Sequence, residues 1–340
     1  MTPLQRRQFG KLVAASFTST VVADISSKVL AQSSESSKDI LYALNLSSSS
    51  NSRNRENQTP PIELNTIDVA TLKVLPKANL LDLKVNLPDV KILSKVNLPV
   101  VSVDNPLSVP KQPRAFFLPE SDRITKGIVL ADKTVVISTV SHTNKGYFNH
   151  LVSVVGSGNS NNIKIRAKKV LDFKKSNQTV ESLLNLPNNK LLCLVGTDGI
   201  PPFTMTTLDY TTGKILPGNE LALPSLPLNH RFANLCQDLK GNIFATETGP
   251  DGVPILIAMN LQEKAIITGK VKIKRLNALK YQGRHLIDDV KDLAFSSSGQ
   301  LYALAADSSR KSNVLFRVEV KTGDMELVGK FLGEKLAFSF

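Results

Sequence analysis

Three features of the amino-acid sequence predict an all-β chain. The first is a series of apolar runs of five to seven residues, rich in Val, Ile, Leu and Phe, along residues 116–340; this composition favours strands over helical pairs. The second is a regular series of turns: Ala131-Asp132-Lys133-Thr134, Pro187-Asn188-Asn189-Lys190, Leu239-Lys240-Gly241-Asn242 and Ser297-Ser298-Gly299-Gln300. Counted at Lys133, Asn189, Gly241 and Gly299, they recur at intervals of 56, 52 and 58 residues, a period within the propeller range and too long for most helical repeats. The third is the stretch from Lys291 to Lys330, which reads as four strands joined by hairpin-like turns, the unit of a propeller blade.

That stretch sets the pattern for the others. Asp292 to Ser296 is short and apolar, and Ser297 to Gln300 is a tight turn in which Gly299 can take positive φ. Leu301 to Ala306 is a second apolar strand, followed by a polar loop from Asp307 to Ser312. Val314 to Val320 alternates, with Phe316, Val318 and Val320 on one face. Lys321-Thr322-Gly323-Asp324 turns again, and Met325 to Val328 completes the unit. The second hairpins of the four units are expected to turn near Gly156–Asn162, Thr211–Lys214, Gln262–Lys264 and Lys321–Asp324.

The C-terminal Leu336-Ala337-Phe338-Ser339-Phe340 copies Leu293-Ala294-Phe295-Ser296 at an interval of 43 residues. A lone apolar strand would leave an exposed edge. It is therefore expected to join strands from residues 62–112 in a composite blade that closes the ring. This gives a β-propeller of four-stranded antiparallel blades, about five in number, with a larger ring if residues 61–112 hold more strands.

The N-terminus carries a different signal. Arg6-Arg7 precede Gln8-Phe9-Gly10-Lys11, then a weakly apolar region from Leu12 to Ala23, Lys28, and Val29-Leu30-Ala31. This resembles a twin-arginine (Tat) export signal with cleavage after Ala31. The resemblance implies passage through the Tat translocase of a chain already folded, and delivery to the periplasm, the extracellular space or, in a photosynthetic host, the thylakoid lumen.

Residues 32–60, with SSSSNSRNRENQ from Ser47 to Gln58, are too polar to offset their ordering entropy and read as a disordered Ser/Asn-rich linker. Asp39 to Leu46 is an apolar island within it, suited to docking on the domain. Residues 61–115 read as a Pro-interrupted arm or a degenerate blade: Lys84-Val85-Asn86-Leu87-Pro88 recurs as Lys95-Val96-Asn97-Leu98-Pro99, and Ile67 to Pro76 resembles Leu208 to Pro217. The expected organisation is thus a signal peptide over 1–31, the linker over 32–60, the arm over 61–115 and propeller repeats over 116–340.

With 340 residues and 41% hydrophobic composition, the chain can bury a sizeable core. Beyond the N-terminus no apolar run is long enough to span a membrane. The formal charge is +13; losing residues 1–31, with Arg6, Arg7, Lys11, Lys28 and Asp24, lowers it to +10. Such a field favours an anionic polymer or another acidic partner, and also favours solubility.

The four-stranded unit resembles the repeats of secreted bacterial β-propeller proteins, in which a strand, a DG- or SG-type turn, a strand of the Leu301-Tyr302-Ala303-Leu304 kind and a Thr322-Gly323-type turn recur. The resemblance covers residues 116–340. It implies a scaffold shared by lyases, lactonases, dehydrogenases and binding proteins, and no particular chemistry.

Few residues signal chemistry by spacing. Cys193 and Cys236 form no Cys-x-x-Cys pair and read as two buried apolar thiols, with a disulfide left open to them after export. His142, His150, His230 and His285 show no metal-ligand spacing, and no nucleophile elbow, phosphate loop or dinucleotide fingerprint is present, so neither a metal nor a cofactor is signalled. Repeat geometry adds a candidate site. Relative to the inner turns, His142, Asp198, Glu247 and Asp307 fall at +9, +9, +6 and +8, which gathers them on one loop face. Arg123, His230, Arg231, Arg284 and His285 precede first strands and are expected on the same face. Such a rim suits an exported propeller binding an anionic or carbohydrate-like ligand or a protein partner. The alternative is a hydrolase or lyase using the rim for acid–base work. Without a basic-aromatic cluster, nucleic acid is not expected as a partner.

Overall fold

A computed structural model describes residues 40–46, 62–68 and 123–338, the last with gaps at 144–145, 156–163, 172, 174, 187–189, 198, 217–219, 228, 262–269, 287–289, 307–311 and 332. The export signal with Arg6, Arg7 and Ala31, the Ser47–Gln58 stretch, the two Lys-Val-Asn-Leu-Pro copies and Phe340 lie outside the described residues, as do the turn segments Gly156–Asn162 and Gln262–Lys264. Among the described residues every regular element is a strand.

The first two strands are β1 (Ile40–Leu46) and β2 (Ile62–Asp68). Blade 1 comprises β3 (Arg123–Val129), β4 (Val135–Thr143), β5 (Gly146–Val155) and β6 (Lys164–Leu171), hydrogen-bonded in that order. Blade 2 is β7 (Gln178–Leu186), β8 (Lys190–Thr197), β9 (Ile200–Asp209) and a two-residue outer strand, β10 (Leu221–Ala222). Blade 3 is β11 (Arg231–Gln237), β12 (Ile243–Thr248), β13 (Pro254–Asn260) and β14 (Lys272–Ala278). A small hairpin follows, β15 (Lys280–Tyr281) and β16 (Arg284–His285). Blade 4 is β17 (Val290–Phe295), β18 (Leu301–Ala306), β19 (Asn313–Val318) and β20 (Asp324–Phe331). The hairpin extends its outer edge by parallel pairing of β15 with β20. The last strand, β21 (Lys335–Phe338), pairs with β1, and β1 with β2, in a three-stranded closing sheet.

The fold is thus the expected all-β propeller, with four main blades and a small composite closing sheet. The partner of the last strand differs from expectation. It is β1, from the apolar island inside the expected linker; β2, from the segment expected to supply the partner, pairs one place further out. The physical reason lies in the side chains. Ala337 pairs with Tyr42, Leu336 with Ala43 and Phe338 with Leu41. The same residue types pair in blade 4, where Ala294 faces Tyr302, Leu293 faces Ala303 and Phe295 faces Leu301. The closing sheet therefore rebuilds the inner hairpin of blade 4 from two distant pieces of chain.

Five buried clusters lie between neighbouring sheets, one at each junction of the ring. Strict apolar–polar alternation gives way to continuous apolar runs such as Val135-Val136-Ile137, because both faces of an inner strand are covered. In β1, Leu41 and Ala43 pack towards blade 4, while Tyr42 and Leu44 pack towards blade 1. In β21, Leu336 and Phe338 face blade 4 and Ala337 faces blade 1. Cys193 belongs to the core between blades 1 and 2, and Cys236 to that between blades 3 and 4, so the two thiols are buried apart and free. Burial pushes both thiols up, Cys236 to about 12.

Each inner strand of the four blades carries a register shift, at Ile124/Lys126, Val180/Ser182, Ala233/Cys236 and Val290/Asp292. A bulge frees backbone groups from the ladder, and these find partners in the next blade. Asn149 Oδ1 accepts from Val180 N (2.8 Å), Ser182 Oγ from Leu235 N (2.9 Å), and Asn234 Nδ2 donates to Val290 O (2.7 Å). At the closing sheet Asp292 Oδ2 accepts from Leu336 N at 2.9 Å, and its Oδ1 meets Lys126 Nζ of blade 1 at 2.5 Å. Approach is close there too: a Cβ added at Gly127 would sit 2.1 Å from Leu44 Cδ1 and oblige that side chain to move.

Closure can be tested through Asp292. Replacing it by alanine strands Lys126 as an unpaired buried cation and removes the acceptor of Leu336 N, with an expected loss of about 3–5 kcal/mol. Asp292→Ala is expected to melt well below the parent, and deletion of residues 336–340 to give little folded protein. A deletion variant that melts like the parent would show that the ring does not depend on this strand.

Candidate loop-face site

The loop face is formed where chain enters each inner strand and where second strands turn into third strands. The bulge in β7 places Glu181 there, buried, and Arg123 at the start of β3 reaches it across the junction of blades 1 and 2: Arg123 Nη2 donates to Glu181 Oε1 at 2.7 Å. In blade 3, Glu247 near the end of β12 is buried. Arg275 on β14 donates Nε to Oε2 and Nη2 to Oε1, both at 2.8 Å. Register explains the reach. Ile257 lies opposite both Ala245 and Arg275, so the guanidinium crosses the face of β13 diagonally to the second residue beyond Ala245.

His230, immediately before β11, brings Nδ1 to 3.2 Å from Glu247 Oε1. A carboxylate only accepts, so Nδ1 carries the proton and, in the neutral ring, Nε2 is the acceptor. Gly249 leaves room beside the ring: an added Cβ would meet His230 Cε1 at 3.1 Å and Nε2 at 3.3 Å. The Arg275 side chain is 58% exposed against 2% for Glu247, so the guanidinium turns its unused donors to solvent while the carboxylate is sealed. The hydrogen bonds and charge of Glu247 hold the Arg275 guanidinium above its ordinary range.

The other expected site residues fall as follows. Arg231 opens β11, half-buried, opposite Thr248. His142 is exposed near the end of β4, with its ring 4.7 Å from that of Tyr147. Asp198 and Asp307 lie outside the described residues. Arg284 and His285 do not join the others. They form β16, the outermost of six strands in the blade 4 sheet, with four strands between it and β17 in the hydrogen-bonded order. The reason is the β15–β16 hairpin, which carries them outward before the chain enters β17. Sequence reasoning missed Glu181 and Arg275. Glu181 could have been found by aligning the bulge positions Thr125, Glu181, Asn234 and Lys291; nothing in the sequence near Arg275 points to Glu247. Among the described residues no three His, Cys, Asp or Glu side chains are grouped to hold a metal ion.

No protein-family model matches the sequence, and no curated protein is significantly similar to it. Among solved structures the chain is similar to a protein of unknown function from Bacteroides caccae, at 11% identity and a TM-score of 0.40, over 89% of this chain and 99% of that one. It is similar to a puromycin-hydrolyzing peptidase from Mycobacterium tuberculosis at 12% identity and a TM-score of 0.36, over 61% of this chain and 29% of the peptidase, so it spans under a third of that protein. A GH43_1 enzyme from Xanthomonas citri complexed with xylose matches at 10% identity and a TM-score of 0.39, over 62% of this chain and 73% of that one. At these TM-scores the likenesses carry no argument about activity.

The Glu247 cluster yields a stability test. Arg275→Met leaves a buried carboxylate with His230 as its remaining side-chain partner, at an expected cost of about 1–3 kcal/mol. Arg317→Met, whose Glu326 partner is exposed, is expected to cost under about 0.5 kcal/mol. Denaturant midpoints of the two variants compare the costs, and equal midpoints would mean that Glu247 does not rely on Arg275.

Proposed function

We propose that this protein is an exported binding propeller whose loop face takes up an anionic or carbohydrate-like ligand. The observation that carries the reading is the fate of the face's two buried carboxylates. Glu181 and Glu247 are each occupied by an arginine, and the exposed Arg275 guanidinium turns its remaining N–H donors outward as the chemistry on offer there. The formal charge, +13 for the whole chain and +10 once Arg6, Arg7, Lys11, Lys28 and Asp24 are lost with residues 1–31, favours the same class of ligand. Export rests on Arg6-Arg7, the apolar region after them and the cleavage pattern ending at Ala31.

A second reading, a hydrolase or lyase, draws on the His230–Glu247 contact, which presents a fixed imidazole Nε2 for proton transfer. It would need a reacting group beside that nitrogen.

Two experiments test these readings. Changing Arg6 and Arg7 together to lysine is expected to hold the precursor in the cytoplasm, because the paired guanidiniums are not replaced by ammonium groups; unchanged delivery of protein cut after Ala31 would refute Tat export. For the loop face, purified protein is expected to be retained on resin bearing carboxylated ligands, to elute earlier as salt rises, and to be retained less after Arg231→Gln. Equal retention on neutral resin would refute anion recognition. Multiple turnover of an ester or glycoside, lost in His230→Gln, would instead select the enzyme.

A further inference from the structure

The loop face does not account for the most one-sided charge in the molecule. Residues 264–287 contain seven lysines and arginines and no acidic residue. Six of those cations, Lys270, Lys272, Lys274, Arg275, Lys280 and Arg284, fall among the described residues, with His285 beside them.

The fold lays this segment along the outside of the ring. β14 is the edge strand of blade 3. Its alternation turns Val271 and Ile273 to the core between blades 2 and 3, with Arg275 on the same face, tied to Glu247. Lys272 and Lys274 are thrown to the opposite face, both exposed, and two residues of strand set them about 6.6–6.8 Å apart. Lys270, also exposed, continues the row at the start of the segment. After Ala278 the chain enters the β15–β16 hairpin. Gln282 and Gly283 take φ of 51° and 73° at its tip, the positive pair of a two-residue turn. The hairpin holds Arg284 and His285 exposed at the outer edge of blade 4.

The acidic residues of the adjoining strand β20 are engaged elsewhere in the row. Asp324 lies 3.6 Å from Lys280, and Glu326 lies 3.1 Å from Arg317. That leaves Lys270, Lys272, Lys274 and Arg284 as cations facing solvent. Lysines on an edge strand also deter strand-to-strand association. One or two charges of either sign serve that purpose; a run of one sign through strand, bulge and hairpin, with no acid interspersed, exceeds it.

We infer that the outer edge of blade 3 and the adjoining hairpin form a docking ladder for a linear acidic polysaccharide. The chemistry selects this occupant among polyanions. Strand-spaced ammonium groups are compact charges with rotating donors, suited to separate carboxylates or sulfates along a chain, whereas phosphate recognition favours the guanidinium fork. The segment's one phenol or phenyl ring, Tyr281, is half-buried and packed against Phe316 at 5.3 Å, which leaves the small imidazole of His285 as the exposed ring, a poor stacking platform for successive nucleobases. Runs of basic residues on a surface suit heparin-like chains. The inference is independent of the loop-face reading: of the residues placed there, Arg275 is counted in the segment but left out of the ladder, tied to Glu247, and the fold carries Arg284 and His285 to the sheet's outer edge.

The test uses full-length protein with heparin and polygalacturonate as probes, one sulfated and one carboxylated, and with duplex DNA and anionic vesicles as competitors for the assignment. Binding to at least one glycan is expected, weakening steeply with salt. Lys272→Glu with Lys274→Glu is expected to cut glycan affinity at least about tenfold without lowering the melting midpoint. Lys214→Glu with Lys240→Glu, an equal change of net charge on turns elsewhere, is expected to leave most of the affinity. Arg231→Gln is expected to lower it far less than the Lys272 and Lys274 changes do, which separates this surface from the loop face. Equal loss in both double variants would show net charge alone at work and overturn the ladder. Binding of DNA or vesicles with no glycan binding would overturn the choice of occupant.

Discussion

A carboxylate wholly withdrawn from water holds the ring together. Asp292 is 0% exposed, and each of its oxygens is assigned. Oδ1 takes the Lys126 ammonium and the N–H of Leu293, and Oδ2 takes the N–H of Leu336. Lys126 in turn donates to Leu293 O. One side chain on blade 4 therefore grips both the closing strand and the blade beyond it. Burying such a pair is costly, and it is tolerated only where further hydrogen bonds satisfy both ions. Non-polar residues could fill the same volume, but would not choose one register for a strand that arrives from the far end of the chain. The bulges at the other junctions are met by neutral groups, Asn149, Ser182 and Asn234, with the Arg123–Glu181 pair added between blades 1 and 2, where covalent continuity already brings the neighbours together.

The loop face follows the same rule. Glu181 and Glu247 are buried and consumed by arginines, so their ion pairs knit the rim before they offer anything to a ligand. Charge that is free of such duties lies at the periphery, on β14 and the β15–β16 hairpin. The two surfaces therefore differ in kind: rim charge is paired across neighbouring elements, whereas Lys272 and Lys274 on the outer edge stand exposed.

Much of the fold was legible in the sequence. Gly241 and Gly299 mark turns because the chain there needs positive φ, with values of 83° and 82°, and the interval between them exposes the repeat. The copy of Leu293-Ala294-Phe295 at Leu336-Ala337-Phe338 revealed the closing strand. Its partner carried an equally plain signal: Leu41-Tyr42-Ala43-Leu44 repeats Leu301-Tyr302-Ala303-Leu304 letter for letter. Polar residues around that island obscured it, since composition averages over a window while pairing depends on single positions. The site was less legible. Arg275 reaches Glu247 across an intervening strand, a contact set by register, and Arg284 and His285 were misplaced because a two-strand hairpin is too short to leave a periodic trace.

The pairing of β1 with β21 also sets a schedule. About 290 residues separate the two strands, so at about 5–20 residues per second the ribosome leaves β1 waiting on the order of 15–60 s for its mate. Throughout that interval β1 can pair with β2, but its other edge has no partner, and Leu41 and Ala43, buried against blade 4 in the finished ring, stay uncovered until that blade is made. The nascent chain is thus open to mispairing at that edge until the last strand is synthesised. A cell making this protein has a use for a chaperone that occupies the edge until Phe338 emerges.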